Sequence, residues 1–238
     1  RLSPPELAMR LMVSPVRIGA IAIFCLLSSG LRAQDQEPVA GHSAHGEVFN
    51  EGPRQAAYLM GGTGEVDFRV SCDESSTQAF FNQGVGQLHG FWHFEAERSF
   101  RQAAAIEPDC AMLYWGMAMA NVDNPDRAAS FIEEAVVRRA QATPRERMWI
   151  DMLADYYEVT EDSAAKSKAA RKKSDQTDSG AVAKRKFKKN KKARSADLVR
   201  GYEEVLHEYP DDVEAMAFLA NRLWLNRRAG VKTNSHMV

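Results

Sequence analysis

Two separated stretches of this chain align without a gap: PDCAMLYWGMA, from Pro108, and PDDVEAMAFLA, from Pro210. Each is a proline that ends one helix, an acidic residue placed to cap the next, and then a helix with small residues on its packing face. A junction that recurs in this form implies internal repetition, which narrows the possible folds more than composition does. Between Ser76 and Pro108 the same helical patterning holds. Trp92, Ala96, Phe100 and Ala103 fall at spacings that place them on one helix face, and that stripe is the expected core.

Counting back from Pro108 over a unit of about 34 residues puts Phe80 at a large-residue position and Gly84 at a glycine position. Ala96, Phe100 and Ala103 follow at the Ala-x3-Phe pair and the next small position. Gly84 and Ala96 are small where two antiparallel helices would approach, since larger side chains would force them apart. At these residues the chain resembles the tetratricopeptide-repeat family. More narrowly, it is similar to exported bacterial repeat proteins with a core reading FNQG, LHGFW, EA, SF and CAM followed by YWG, here spread over Phe81–Gly116. The leader HGEVFNEGPRQAAYLMGG fits that group too. The resemblance covers roughly residues 45–160 and 195–235. It implies an all-α, antiparallel helix-hairpin solenoid with a concave, partner-binding face.

In that frame Tyr114, Met117, Ala118 and Asn121 occupy the first-helix positions of a second, degenerate unit, capped by Asp109. Its partner helix runs over about 125–140, capped by Asn124 or Asp123 with Pro125 in its first turn. Thr143-Pro144-Arg145-Glu146 is a capping box opening a helix to about Val159. Helical patterning resumes at Ser195 with Leu198, Tyr202, Val205 and Leu206. Pro210 then repeats the role of Pro108, and Met216, Leu219, Ala220 and Leu223 fill the next first-helix positions. Domain limits follow: a signal region over 1–33, an irregular leader over 34–75, repeats over 76–160, a basic insert over 161–194, further repeat helices over 195–228 and a tail over 229–238. A repeat array needs a further helix to cover its last face, so the tail reads as a C-terminal truncation.

The insert is Lys-, Arg-, Ser- and Ala-rich, with Phe187 its single aromatic and Val182 its single branched aliphatic residue. It is expected to be disordered or a weakly helical surface segment. Its densest part, Lys184 to Arg194, would suit a nucleic acid or another anionic surface. At the other end, Arg10 and Arg17 precede the apolar run Ile18 to Leu27, and cleavage after Ala33 would complete an export signal. The alternative is an uncleaved membrane anchor, and the large Phe24 before Cys25 argues against a lipid anchor. The chain opens on Arg, and Met9 or Met12 is the more natural start. A periplasmic or extracellular protein meets an oxidising compartment. Of three cysteines, Cys25 leaves with the signal, so Cys72 and Cys110 are expected either to pair or to stay as two buried thiols.

The leader lacks helical period and has Gly61, Gly62 and Gly64 as turn markers, while Glu65 to Val70 alternates like a short strand or extended arm. His42 and His45 are weak metal candidates, since histidines in such a segment are more often simply solvated. In QLHGFWHFEAERSF, His89 and His93 stand four apart, a spacing that on one helix could grip zinc. The repeat frame places a turn at His89–Gly90, which separates them. There is no HExxH, paired CxxC, GxSxG or phosphate loop, and Gly61 to Gly64 lacks the lysine and helix that a phosphate loop requires. Cys110 with His89 or His93 is the remaining nucleophile pair, with no third residue to orient it.

Three functions stay open. The preferred one is a non-catalytic scaffold that takes a protein or peptide partner on a concave helical face, without cofactor or metal. The second is a metal- or haem-associated accessory protein or enzyme using the Cys/His region. The third is a polyanion or nucleic-acid binder acting through Lys184–Arg194. Membrane contact is expected only through an uncleaved signal segment.

Overall fold

The computed structural model describes residues 52–53, 55–174 and 186–233, all within the compact unit spanning Pro38–Val238. Among the described residues the fold is all-α, with eight α-helices and no strand. They are α1 (Ser75–His89), α2 (His93–Ile106), α3 (Ala111–Met119), α4 (Pro125–Arg138), α5 (Pro144–Tyr156), α6 (Glu161–Ser174), α7 (Lys191–Glu208) and α8 (Val213–Arg228). A short 3-10 turn, Arg139–Gln141, joins α4 to α5. The signal region over 1–33, with Cys25, and His42 and His45 all lie outside the described residues. So do residues 175–185 of the basic insert and 234–238 of the tail.

Local chemistry sets most helix ends. Asn124 accepts from the Arg127 N–H and Pro125 follows as the first helical residue of α4. Thr143 and Glu146 form a complete capping box at α5. Asn190 caps α7, and Asp212 caps α8 through the Ala215 N–H. Asp109 differs from expectation: the N-cap of α3 is Cys110, and no side chain accepts there. The two repeated junctions nevertheless agree in register, since in both the helix opens three residues past the proline.

Sequential helices pack on one another: α1 most extensively on α2, then α2 on α3, α3 on α4, α4 on α5 and α7 on α8. Direct contacts also join α1 to α3 and α3 to α5. Only three residues separate α1 from α2, so close packing along their lengths requires the chain to double back. At that crossing the Phe100 ring lies between two glycines. A Cβ on Gly84 would stand 2.7 Å from the ring, and one on Gly116 would stand 2.5 Å away. Gly84→Leu is therefore expected to drive α1 off α2 and cost about 1–3 kcal/mol or more. A urea midpoint unchanged from the native chain would remove Gly84 from the helix contact.

The core is continuous and aromatic. Phe81 meets Phe100 at 5.5 Å between centroids, and Trp115 meets Trp149 edge-on at 5.3 Å. Trp149 reaches Tyr202 at 5.6 Å, and Phe218 packs on both tryptophans, at 6.0 and 5.9 Å. These edge-on contacts tie α1 to α2, and α3, α5, α7 and α8 to one another. Burial pushes the Tyr202 hydroxyl up to about 12.

Several expected positions move. Trp92 is 58% exposed at the turn before α2, so the stripe on that helix is Ala96, Phe100 and Ala103 without it. Phe91, in the left-handed region at φ 59°, swings the chain through this turn and leaves Phe91, Trp92 and Phe94 on the surface. Phe81 takes the fully buried place assigned to Phe80, which packs at the core's edge. On α8 the buried face is Ala215, Phe218 and Leu219, while Met216 and Ala220 are exposed. Leu219 holds its expected place; Ala220 does not, because the helix turns its 215–218–219 side toward the tryptophans.

Of the two forms expected for the insert, its described part takes the helical surface form and not the disordered one. Residues 161–174 form α6, which packs on α4. Thr160 and Ser163 cap its start reciprocally, and Ala164 is fully buried. Helix-favouring Ala, Lys and Arg let it form on a narrow apolar contact, because α4 supplies the large side chains. Residues 186–190 are ordered against α5: the Lys188 and Lys189 N–H groups donate to Glu158, each at 2.6 Å. Arg194 lies over the Phe187 ring at 3.7 Å and is buried, so α7 opens at Lys191 instead of near Ser195.

Candidate functional site

The leader lies along the helices as an extended strap, residues 55–74, without helix or strand. Helix side chains hold it chiefly by its backbone. The Gln83 carboxamide on α1 donates to the Tyr58 carbonyl at 3.0 Å and accepts the Met60 N–H at 2.7 Å. One turn and a half earlier on α1, Gln78 does the same: it donates to the Phe68 carbonyl at 2.9 Å and accepts the Val70 N–H at 3.1 Å. Each glutamine thus bridges the C=O of one residue and the N–H two residues on. In extended chain those two groups point to the same side, so the carboxamide takes the place of a neighbouring strand.

The clamps are themselves fixed. Gln83 Nε2 also donates to Ser99 Oγ, and Ser99 Oγ donates to Gln87 Oε1 at 2.8 Å, all three residues being buried. From α2, Gln102 accepts the Ala57 N–H and Arg98 donates to the Gln55 carbonyl. Gly86 has no side chain for a steric reason: a Cβ there would stand 2.0 Å from the Thr63 carbonyl oxygen.

The C-terminal half of the strap is bound more deeply. Phe68 is fully buried among Phe81, Trp115 and Trp149, at 5.4, 5.8 and 5.0 Å. The Arg145 guanidinium covers its ring at 4.3 Å, donates to the Arg69 carbonyl and pairs with Asp212 at 2.8 Å. Glu146, already closing the capping box, accepts the Ser71 N–H and hydroxyl at 2.5 and 2.6 Å. Cys72 is disulfide-bonded to Cys110 at the start of α3, with 5.7 Å between Cα atoms. Next to it, Glu107 accepts the Asp73 and Glu74 N–H groups at 2.7 and 2.9 Å.

Burial would raise the Glu107 carboxyl, but the Thr77 hydroxyl beside it and these two amides outweigh that and hold the group below its ordinary value of 4.5. Its contribution to stability is therefore complete above pH 4.5 and is lost as the pH falls through the lowered value. Exchange of the Asp73 and Glu74 amides should accelerate below that pH, relative to amides in α3. Glu107→Gln should flatten this part of the pH dependence, and an unchanged profile in that variant would assign the acid response to other carboxylates.

A second docking point lies farther up the leader. Glu97, nearly fully buried, pairs with Arg101 at 2.7 Å and with Arg127, and accepts from Asn121 at 3.0 Å. Gly52, at φ +82°, passes so close that a Cβ would stand 2.7 Å from Arg127 Nη2 and 2.9 Å from Glu97 Oε1. Pro53 is buried beside it.

The other expected site residues disperse. His89 closes α1 and His93 opens α2, so the pair shares no helix face. His89 Nε2 bonds Glu214 Oε2 at 2.6 Å and its ring lies tilted against Phe218 at 4.7 Å, tying the end of α1 to the start of α8. Cys110 holds its sulfur in the disulfide, so it offers no thiolate to either histidine. Tyr114 donates to the Pro108 carbonyl beneath Arg138, and burial pushes its hydroxyl up to about 12. Ala118 is fully buried, and Pro108 and Pro210 sit exposed in their turns. In the basic stretch, Lys189 pairs with Asp197 and Arg194 donates to the Tyr156 carbonyl. Among the described residues no group of three or more His, Cys, Asp or Glu side chains could hold a metal ion. Among the same residues no helix is long and apolar enough to cross a membrane.

Neither a protein-family model, nor a curated protein, nor a solved structure matches this chain. Its functional reading therefore rests on the clamped strap and the helices that carry it.

Proposed function

We propose that the chain is a non-catalytic, exported binding scaffold, a solenoid of tetratricopeptide-like helix hairpins that takes an extended segment of a protein or peptide partner on its helical face. The observation that carries this reading is the pair of glutamine clamps: Gln83 and Gln78 each join a carbonyl to the N–H two residues on. Such a contact recognises extended main chain whatever its side chains, which is how a scaffold grips a segment of another protein. The solenoid reading is supported by the packing of successive helices from α1 through α5 and of α7 on α8, and by the glycines that flank Phe100. The disulfide suits a chain that folds in an oxidising compartment.

The reading is tested by panning the full chain against a library of unstructured twelve-residue peptides and titrating the enriched sequences by fluorescence polarisation. Saturable binding, lost on Gln83→Ala and Gln102→Ala while the melting transition is kept, supports it. Failure to enrich any peptide, or binding indifferent to both substitutions, rejects it.

A further inference from the structure

We propose, resting on the scaffold reading above, that residues 55–60 of the strap are a resident, displaceable occupant of the partner groove. The groove on α1 and α2 then accepts an extended, uncharged peptide segment of another chain in their place. Four observations converge on this division of the strap.

First, the two halves are held by different means. Residues 65–74 are anchored by the buried Phe68 ring, by Glu146 and by the disulfide. Residues 55–60 are held by hydrogen bonds from helix side chains to their backbone, while Tyr58 and Leu59 stand 70% and 56% exposed. Second, the joint between the halves is glycine-rich. Gly62 and Gly64 have φ values of +81° and +93°, and at Gly61, Gly62 and Gly64 nothing lies within 4 Å of where a Cβ would be. Residues 55–60 can therefore lift away while Phe68 and Cys72 stay in place, on the N-terminal side by bowing out from, or releasing, the Gly52–Pro53 contact on Glu97 and Arg127.

Third, the surface beneath residues 55–60 is polar. Gln83, Gln87, Ser99 and Gln102 would be left facing water, where each finds hydrogen bonds, so uncovering them leaves no buried polar group unpaired. Fourth, recognition is by main chain. The groove requires a free carbonyl at one residue and a free N–H two residues on, flanked by an N–H for Gln102 and a carbonyl for Arg98. The present occupant, Gln-Ala-Ala-Tyr-Leu-Met, is uncharged and carries two alanines against α2. Its Met60 sulfur accepts from Gln87 at 3.6 Å. A partner segment of the same chemistry fits: extended, uncharged, small at two successive positions and apolar three residues later.

Gly86 gives a test that leaves the helix contact at Gly84 alone. A methyl group at residue 86 collides with the Thr63 carbonyl, and alanine otherwise favours the helix. In the full-length Gly86→Ala chain, amides of residues 55–60 should exchange at least tenfold faster than in the native chain, with circular dichroism unchanged. A fluorescein-labelled synthetic peptide spanning residues 53–61, which stops short of Thr63, should bind this variant at least tenfold more tightly than the native chain. Adding Gln83→Ala should abolish that binding. The proposal is overturned if residues 55–60 stay as protected as before, if the peptide does not bind Gly86→Ala at millimolar concentration, or if binding survives Gln83→Ala. Where library peptides bind the native chain through Gln83 and the strap peptide binds neither form, the displaceable strap fails and the scaffold reading stands. Where neither kind of peptide binds any form, both fail.

Discussion

Replacing Phe68 by alanine should lower the free energy of unfolding by about 3–5 kcal/mol, the range for deleting a buried aromatic ring. Although it belongs to the leader, Phe68 sits at the meeting point of Phe81, Trp115 and Trp149 and is covered by Arg145. The cavity left by its removal would be walled by rings from α1, α3 and α5, which their own helices hold in place, so collapse is restricted. A loss of this size is a large fraction of the roughly 5–15 kcal/mol that keeps a domain folded. Urea unfolding followed by tryptophan emission reads it directly, because Trp115 and Trp149 line the vacated space. A native-state emission shift to longer wavelength should accompany the lower midpoint. A midpoint within experimental error of the native chain would place Phe68 outside the core.

Opening the Cys72–Cys110 disulfide should have an effect of similar size by a different route. The bridge closes a segment with a sequence separation of 38 residues. Constraining such a loop in the unfolded chain is worth about 4 kcal/mol in the chain-entropy account, and measured values are commonly 2–4. The unfolded state gains the freedom, so the folded helices should keep their circular dichroism while the urea midpoint falls. Cys72→Ser, Cys110→Ser and the reduced native chain should agree, since all three lose the same constraint. Alkylation of both Cys72 and Cys110 by a thiol probe in the unreduced, unfolded protein, located by peptide mapping, would disprove the bridge. Although Glu107 and Glu146 still hold the residues on either side of Cys72, loss of the bridge should loosen residues 71–74 more than it loosens α1 or α3.

Both effects concern a leader whose sequence shows only the alternation of Glu65 to Val70 and three turn glycines. Its depth in the structure was not legible because burial of Phe68 depends on residues 13 to 81 positions away, in three helices. The helices themselves were far more legible. Thr143–Glu146 and Asn124-Pro125 carry their cap chemistry locally, and the separation of His89 from His93 by a turn follows from the glycine and the unit length. The α6 helix was legible only as a weakly helical alternative to disorder, for the opposite reason. It has almost no large apolar side chains, and its packing face is supplied by α4, so no periodic signal marks it. Trp92 misled for a related reason: its spacing fits the stripe, but the left-handed Phe91 turns the chain before α2 begins. The clamps could have been suspected from Gln78, Gln83 and Gln87 on a helix rich in buried positions, a placement that asks for polar partners. What those partners are, the spacing does not say.

By itself, then, the sequence determined the elements that depend on neighbours within a turn or two: an all-α chain, the ends of most helices, the repeated junctions at Pro108 and Pro210, and the small residues at the α1–α2 crossing. Helix period, caps and glycine contacts are short-range, and each leaves its residues close together in the chain. The tertiary structure alone decided where the leader goes, which rings meet around Phe68, that Glu146 serves a cap and a strap at once, and that Gly86 answers to the Thr63 carbonyl. Those are contacts between distant segments, set by close packing and by pairing each buried polar group with whatever donor or acceptor the fold brings to it.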